Sequence, residues 1–287
     1  MLPTSPQLGA TTLSHPQLVT VAPRRVSEAK YWENYYEESD HHYEWNNGYL
    51  EEKGVSDKLT LLMYQWFSQL LTEFLHQVPL GEIVSLETGF RLVLPNKTTI
   101  RKPDLGVVRY DNPVRWQDHD NSYRGICDLC VEALSHSTTA ELRRDTVTKK
   151  EEYAAAGVKE YYILYAKGEP MAFYRLNARG VYVPLKPVAG DLIQSKVLPG
   201  FQFRRTDLSR QPSLEEMSED VVYQPFVGLS LQAAKRAATE AQQQAAAAQQ
   251  QAAAAQQQAM AEANRADQAE ARVQQLEQEL ARLRLKP

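Results

Sequence analysis

Three stretches of the chain hold side chains that could work together as one site. They are Asp104 in Lys102-Pro103-Asp104, Glu132 in Asp128-Leu-Cys-Val-Glu132, and Lys149 in Arg143-Arg144-Asp145-Thr-Val-Thr-Lys149-Lys150. If the first two lie on adjacent strands, their carboxylates can share one hard cation, and carboxylate oxygens completed by water suit Mg²⁺ or Mn²⁺. Such an ion lowers the pKa of bound water and neutralises charge on a phosphodiester. A lysine is then needed near the water and the developing negative charge. Asp145, Lys149 and Tyr153 are four apart and share one helical face, which places Lys149 to reach a site at the strand ends. Asp128 falls on the Glu132 face of its strand and is a candidate outer ligand.

Each of these residues also has a structural reading. An Asp after Pro commonly serves a turn or cap, and a Lys on a helix commonly lies on a solvated face. Glu132 is harder to explain that way. It sits in Ile126-Cys-Asp-Leu-Cys-Val-Glu-Ala-Leu134, which reads as a buried strand, and a buried carboxylate is costly unless paired or metal-bound. Cys127 and Cys130 lie in the same strand at C-x-x-C spacing. Three apart on a strand, they point to opposite faces and cannot share a zinc ion, so two packed thiols are expected.

The elements that must carry these residues follow from pattern. Tyr43-Glu-Trp-Asn-Asn-Gly-Tyr-Leu50 has aromatics on both sides of Asn47-Gly48, a strong hairpin signal. A helix should run from about Asp57 to His76, since Leu61, Leu62, Tyr64, Trp66, Leu70, Leu71 and Phe74 populate a broad apolar face. Strands are expected over Ile83–Leu94, Leu105–Tyr110 and Ile126–Leu134. A helix over Leu142–Ala156, closed by Gly157, follows. Further strands are Glu160–Tyr165, Ala172–Leu176 and Val181–Leu185. This order gives a mixed α/β domain around one central sheet.

Composition divides the chain. Every aromatic lies at or before Phe226, whereas Ala and Gln make up more than half of residues 231–287. Residues 1–27 hold four prolines and no acidic residue, and read as a disordered lead-in. Residues 28–210 form the α/β domain, 211–230 a linker, and 231–287 an Ala/Gln-rich helix or coiled coil. Within the last, Ala-Ala-Ala-Ala-Gln-Gln-Gln occurs twice, and Val273, Leu276, Leu280 and Leu283 follow at three, four and three. That seam implies a homo-oligomer, for instance a dimer; a single solvated helix is the other reading. The net charge of −4 disfavours a passive nucleic-acid coat but not a metal-dependent enzyme. No apolar stretch is long enough to cross a membrane. Two cysteines suit a reducing cytoplasm, the expected location.

Pro103-Asp104, Asp128…Val131-Glu132-Ala-Leu-Ser135, Asp145-x₃-Lys149-x₃-Tyr153 and Gly157-Val-Lys-Glu-Tyr161-Tyr-Ile together resemble the Uma-type putative restriction endonucleases. Tyr43-Glu44-Trp…Asn47-Gly48-Tyr-Leu-Glu51 and Leu198-Pro-Gly200-Phe look like that family's flanking motifs. The resemblance spans about Tyr43 to Leu208. It implies a PD-(D/E)xK nuclease-like fold, in which a restriction-endonuclease-like mixed sheet is flanked by helices, and it implies metal-dependent phosphodiester hydrolysis with DNA as partner. By motif position Asp104 and Glu132 would be the metal ligands and Lys149 the catalytic lysine. The wider nuclease signature puts its lysine two residues after the second acid, where this chain has Leu134. The resemblance therefore implies a lysine moved onto the next helix. His136 stands where Pro is common and reads as a loop residue. Glu44 and Glu51 are weaker candidates for orienting the site, against a hairpin edge and its solvated face. The alternative from another class is a non-catalytic nuclease-fold scaffold assembled through its coiled-coil tail. A third is a phosphodiesterase acting on RNA or nucleotides.

Overall fold

A computed structural model describes residues 24–37, 42–54, 56–85, 87–134 and 139–284. Most of the expected lead-in, and His136, lie outside the described residues. In chain order the elements are α1 (Glu28–Asn34), β1 (Tyr43–Asn46), β2 (Tyr49–Glu52), α2 (Lys58–Gln77), β3 (Gly81–Val84), β4 (Phe90–Leu94), β5 (Lys97–Arg101), β6 (Leu105–Arg109) and β7 (Leu129–Ala133). Then come α3 (Thr139–Arg143), a π turn (Arg144–Thr148), α4 (Lys149–Ala156), β8 (Glu160–Leu164), β9 (Ala172–Leu176), β10 (Tyr182–Pro184), β11 (Leu192–Gln194) and β12 (Gln202–Arg204). The chain continues with α5 (Asp207–Arg210), α6 (Leu214–Glu219) and α7 (Gly228–Arg284). Two compact units result, residues up to 75 with 79–211, and 76–78 with 212 onward.

In the first unit a six-stranded mixed sheet runs β10-β9-β8-β7-β6-β3. Only β7 and β8 are parallel; Leu129 pairs with Glu160 and Glu132 with Ile163. A parallel pair needs a crossover, and α3, the π turn and α4 supply it. Gly157 ends the crossover with φ 91°, where a side chain would be strained. β8 is buried throughout, and β6 and β7 nearly so, as expected of strands covered on both faces. A second sheet, β2-β1-β5-β4, is antiparallel. Its hairpin turns at Asn47 (φ 46°) and Gly48 (φ 95°), the positive pair that a tight two-residue turn demands. In the second unit α6 opens with a Ser213/Glu216 capping box, within the segment expected as a linker.

The structure departs from the sequence expectations at several places. The run Ile83–Leu94 is not one strand. A turn held by Thr88 N–H on the Ser85 carbonyl, with Glu87 at φ 63°, sends β3 to one sheet and β4 to the other. β5, and the β11–β12 pair that forms a small antiparallel sheet of its own, have no counterpart among the expected strands. Residues 24–26 are ordered, because Val26 N–H donates to Gly48 and Arg24 accepts from Leu50 at the hairpin edge. Finally, Cys127 lies ahead of β7, so strand alternation does not separate it from Cys130. Both thiols are buried, and burial together with the neighbouring Cys127 raises the Cys130 thiol.

Candidate active site

The β6–β7 register pairs Leu105 with Val131, so Asp104 and Glu132 occupy the next cross-strand positions. Asp104 Oδ2 accepts from the Ala133 N–H at 2.7 Å, which fixes the carboxylate against β7. Glu132 Oε1 accepts from the Tyr153 hydroxyl at 2.9 Å. Lys149 Nζ stands 3.0 Å from Glu132 Oε2, 3.1 Å from Asp145 Oδ1 and 3.2 Å from Glu44 Oε1. The Asp145 contact is a charge contact only; that oxygen has no aligned hydrogen bond. Asp104, Glu132, Lys149, Asp145, Tyr153 and Glu44 therefore share one neighbourhood.

Backbone geometry aims Lys149. Its N–H bonds to Arg144 O, five residues back, which is the π turn's signature. The Asp145 carbonyl, which would accept that N–H in a regular helix, receives the Tyr161 hydroxyl at 2.8 Å instead. A second lysine completes the group. Lys53 Nζ lies 3.1 Å from Asp104 Oδ1 and 3.1 Å from Glu87 Oε1, and donates to the Lys102 carbonyl at 2.9 Å.

Behind these residues Arg101 is fully buried. It meets Glu44 Oε2 at 3.1 Å, holds Glu152 through two hydrogen bonds of 2.6 and 2.9 Å, and also binds Glu51. Glu44 thus bridges Arg101 to Lys149 and also accepts from the Lys102 N–H at 2.9 Å. Glu51 touches Arg101 and Asn46. Asp128 is elsewhere. Its carboxylate takes the Arg109 N–H, Asn112 and Lys159 at the opposite end of β7.

Burial and charge oppose each other across the group. Burial pushes the Glu132 carboxyl up to about 8; Lys149 offsets this in part, while Asp104, Asp145 and Glu44 add to it. Burial also works against the Glu44 carboxylate, but Lys149 and Arg101 outweigh it and hold the group well below the usual range. Lys149 is raised, because Asp145, Glu132 and Glu44 overcome the cost of its burial.

Asp104 and Glu132 suit a divalent cation by their donor chemistry. Each has one oxygen fixed by a neutral donor and another facing a lysine. Among the described residues no three His, Cys, Asp or Glu side chains gather into a metal cage. Two carboxylates completed by water and phosphate is, however, the pattern Mg²⁺ commonly uses. The Asp104 side chain is 27 % exposed and that of Glu132 3 %, so access from solvent comes at Asp104.

Residues 28–209 match the Uma2 family, described as "Putative restriction endonuclease". The chain belongs to that family. No curated protein matches it. A solved structure of a putative nuclease from Anabaena variabilis, assigned to DUF820, is 11 % identical, with a TM-score of 0.48 over 64 % of this chain and 97 % of that one. Among the described residues of this Uma2 chain, no helix is long and apolar enough to cross a membrane.

Residue type and spacing alone do not mark Lys53 or Arg101 as part of the site. The available signal was the run of acids Glu44, Glu51 and Glu52 on one hairpin, which needs buried cations if that hairpin packs inward.

Proposed function

We propose that the chain is a Mg²⁺- or Mn²⁺-dependent endonuclease that hydrolyses phosphodiester bonds of DNA. The observation that carries this reading is Lys149, 3.0 Å from Glu132, in one cluster with a partly exposed Asp104 on the adjoining strand. Asp104 and Glu132 would hold the metal. When bound, the ion supplies a Lewis acid for the phosphodiester and a more acidic water. Ala133 N–H and the Tyr153 hydroxyl orient the two carboxylates. Glu44 and Asp145 keep Lys149 protonated. As a cation it acts as a donor that positions water and offsets charge in the transition state, not as a proton acceptor. Lys53 provides a second positive charge beside Asp104.

Incubation with supercoiled plasmid and Mg²⁺ or Mn²⁺ tests the proposal. Nicking is expected with metal and none with EDTA. Asp104→Ala and Lys149→Ala should each lower the rate by about 10²-fold or more, the scale seen when a transition-state donor is removed. Nicking that persists in both variants would sink the site assignment. One observation favours a second reading: the Lys149 side chain is only 1 % exposed and already divided among three carboxylates, as in a structural ion cluster. Metal and DNA binding without cleavage would favour that non-catalytic scaffold.

A further inference from the structure

At the other end of the central sheet, the start of β8, the end of β9 and the loop 195–199 line an open cleft of about 380 Å³. The register sets it apart from the acidic site. Glu160 pairs with Leu129 and with Arg175, while Glu132 lies three residues further along β7, about 10 Å at the usual rise per residue.

Four cations line the cleft: Arg109, Lys159, Arg175 and Lys196. Two are committed. Arg109 holds Asp111 through two hydrogen bonds of 2.7 Å and also reaches the Val197 carbonyl. Lys159 Nζ lies 2.7 Å from Asp128 Oδ1. The remaining acid, Glu160, is saturated by other donors. It accepts from the Tyr162 hydroxyl at 2.7 Å, the Ser195 hydroxyl at 2.7 Å, and the backbone N–H groups of Lys196 (2.6 Å) and Val197 (3.3 Å). These bonds pin the loop that forms one wall. Among the described residues, neither Arg175 nor Lys196 has an ion-pair partner. Two uncommitted cations thus line one concave surface whose walls are fixed by closed ion pairs and a buried carboxyl.

A lone unpaired surface lysine needs no explanation. Two unpaired cations that line one open cleft, at the low end of small-ligand volumes, do suggest a ligand. An arginine fork and an ammonium together suit phosphate oxygens. A terminal phosphate carries about 1.5 to 2 negative charges near pH 7, against one for a backbone diester, and two cations favour the former.

We propose that this cleft binds the terminal phosphate of a small phosphomonoester, with Arg175 and Lys196 as the groups that hold it. The site is separate from Asp104 and Glu132 and does not depend on the nuclease reading.

Calorimetric titration of the full chain, in EDTA and at constant ionic strength, tests this. The probes are inorganic phosphate, a deoxynucleoside 5′-monophosphate, and a dinucleotide with one internal diester and no terminal phosphate. Saturable one-site binding is expected for the first two, with the dinucleotide about tenfold weaker or more. Arg175→Gln and Lys196→Gln should each weaken phosphate binding about fivefold or more, and Asp104→Ala should leave it unchanged. Both lysine and arginine positions are exposed, so the melting temperatures of these variants should match the parent. No saturable phosphate binding would overturn the proposal. So would equal affinity for the dinucleotide, undiminished binding in the double variant, or loss of binding in Asp104→Ala.

Discussion

Glu132 is a buried carboxyl whose ion-pair partner, Lys149, is divided with Glu44 and Asp145. Its native pKa of about 8 exceeds the ordinary 4.5, so the folded state binds its proton more tightly than the unfolded chain does. The stability from this group is therefore fully present below about 4.5 and is lost as pH rises through about 8. Glu132→Gln removes that titration while keeping side-chain volume and an acceptor for Lys149, and the Tyr153 hydroxyl can turn to accept from the amide. In EDTA, the variant should gain on the parent as pH rises from 5 to 9, reaching about 1–4 kcal/mol in urea denaturation. A difference that stays flat across that range would mean Glu132 is already ionised in the native state below pH 5. Lys149→Met is the opposite case, because it leaves three carboxylates without their shared cation. It should cost about 3–5 kcal/mol at pH 8 by the same measurement.

The crossover from β7 to β8 places that lysine, and its π turn is a local device with a local support. The Lys149 N–H bonds to Arg144 O, and the Tyr161 hydroxyl supplies the donor that the Asp145 carbonyl would otherwise lack. Tyr161→Phe should cost about 1–3 kcal/mol, the penalty for an unsatisfied buried carbonyl, with little change in helix content by circular dichroism. If the chain cuts plasmid, cleavage should fall as well, since Lys149 is the next residue but three after that carbonyl. Unchanged stability and rate would show that the π turn does not need this hydroxyl. The Asp145/Lys149/Tyr153 face was legible from sequence because four-residue spacing is a local property of helices. The π turn was not, since no residue in Arg144-Asp-Thr-Val-Thr148 marks it. β5 lacks a local signal for a different reason. Lys97-Thr-Thr-Ile-Arg101 has a single apolar residue, and Arg101 looks like a surface residue until Glu44, Glu51 and Glu152 arrive from more distant elements. Lys53 was hidden in the same way, its partners Asp104 and Glu87 being remote in sequence. Local periodicity thus gave the central sheet and the helical face, while the long-range ion pairs became visible only in the folded chain.

At the scale of the whole molecule, the site and the tail obey different physics. The α/β unit buries aromatic and aliphatic side chains around the central sheet. α7 is 57 residues long, about 85 Å at helical rise. Ala and Gln sustain such a helix by propensity alone, but they supply little apolar area for self-association. Of the seam's described side chains, Val273 and Leu276, three apart, are about half exposed and offer apolar contact to a second helix. A seam of Val273, Leu276, Leu280 and Leu283 that spans barely two heptads predicts weak, concentration-dependent pairing rather than an obligate zipper. Sedimentation equilibrium should therefore show the full chain passing from monomer to dimer over the micromolar range. A form ending at residue 227 should stay monomeric throughout. The same truncation should leave the urea midpoint of the α/β unit nearly unchanged when measured below the association range, because linkage to dimerisation vanishes there. Identical masses for the two forms at every concentration would remove association from the tail's roles. A shifted midpoint at high dilution would instead assign α7 a part in the stability of the body.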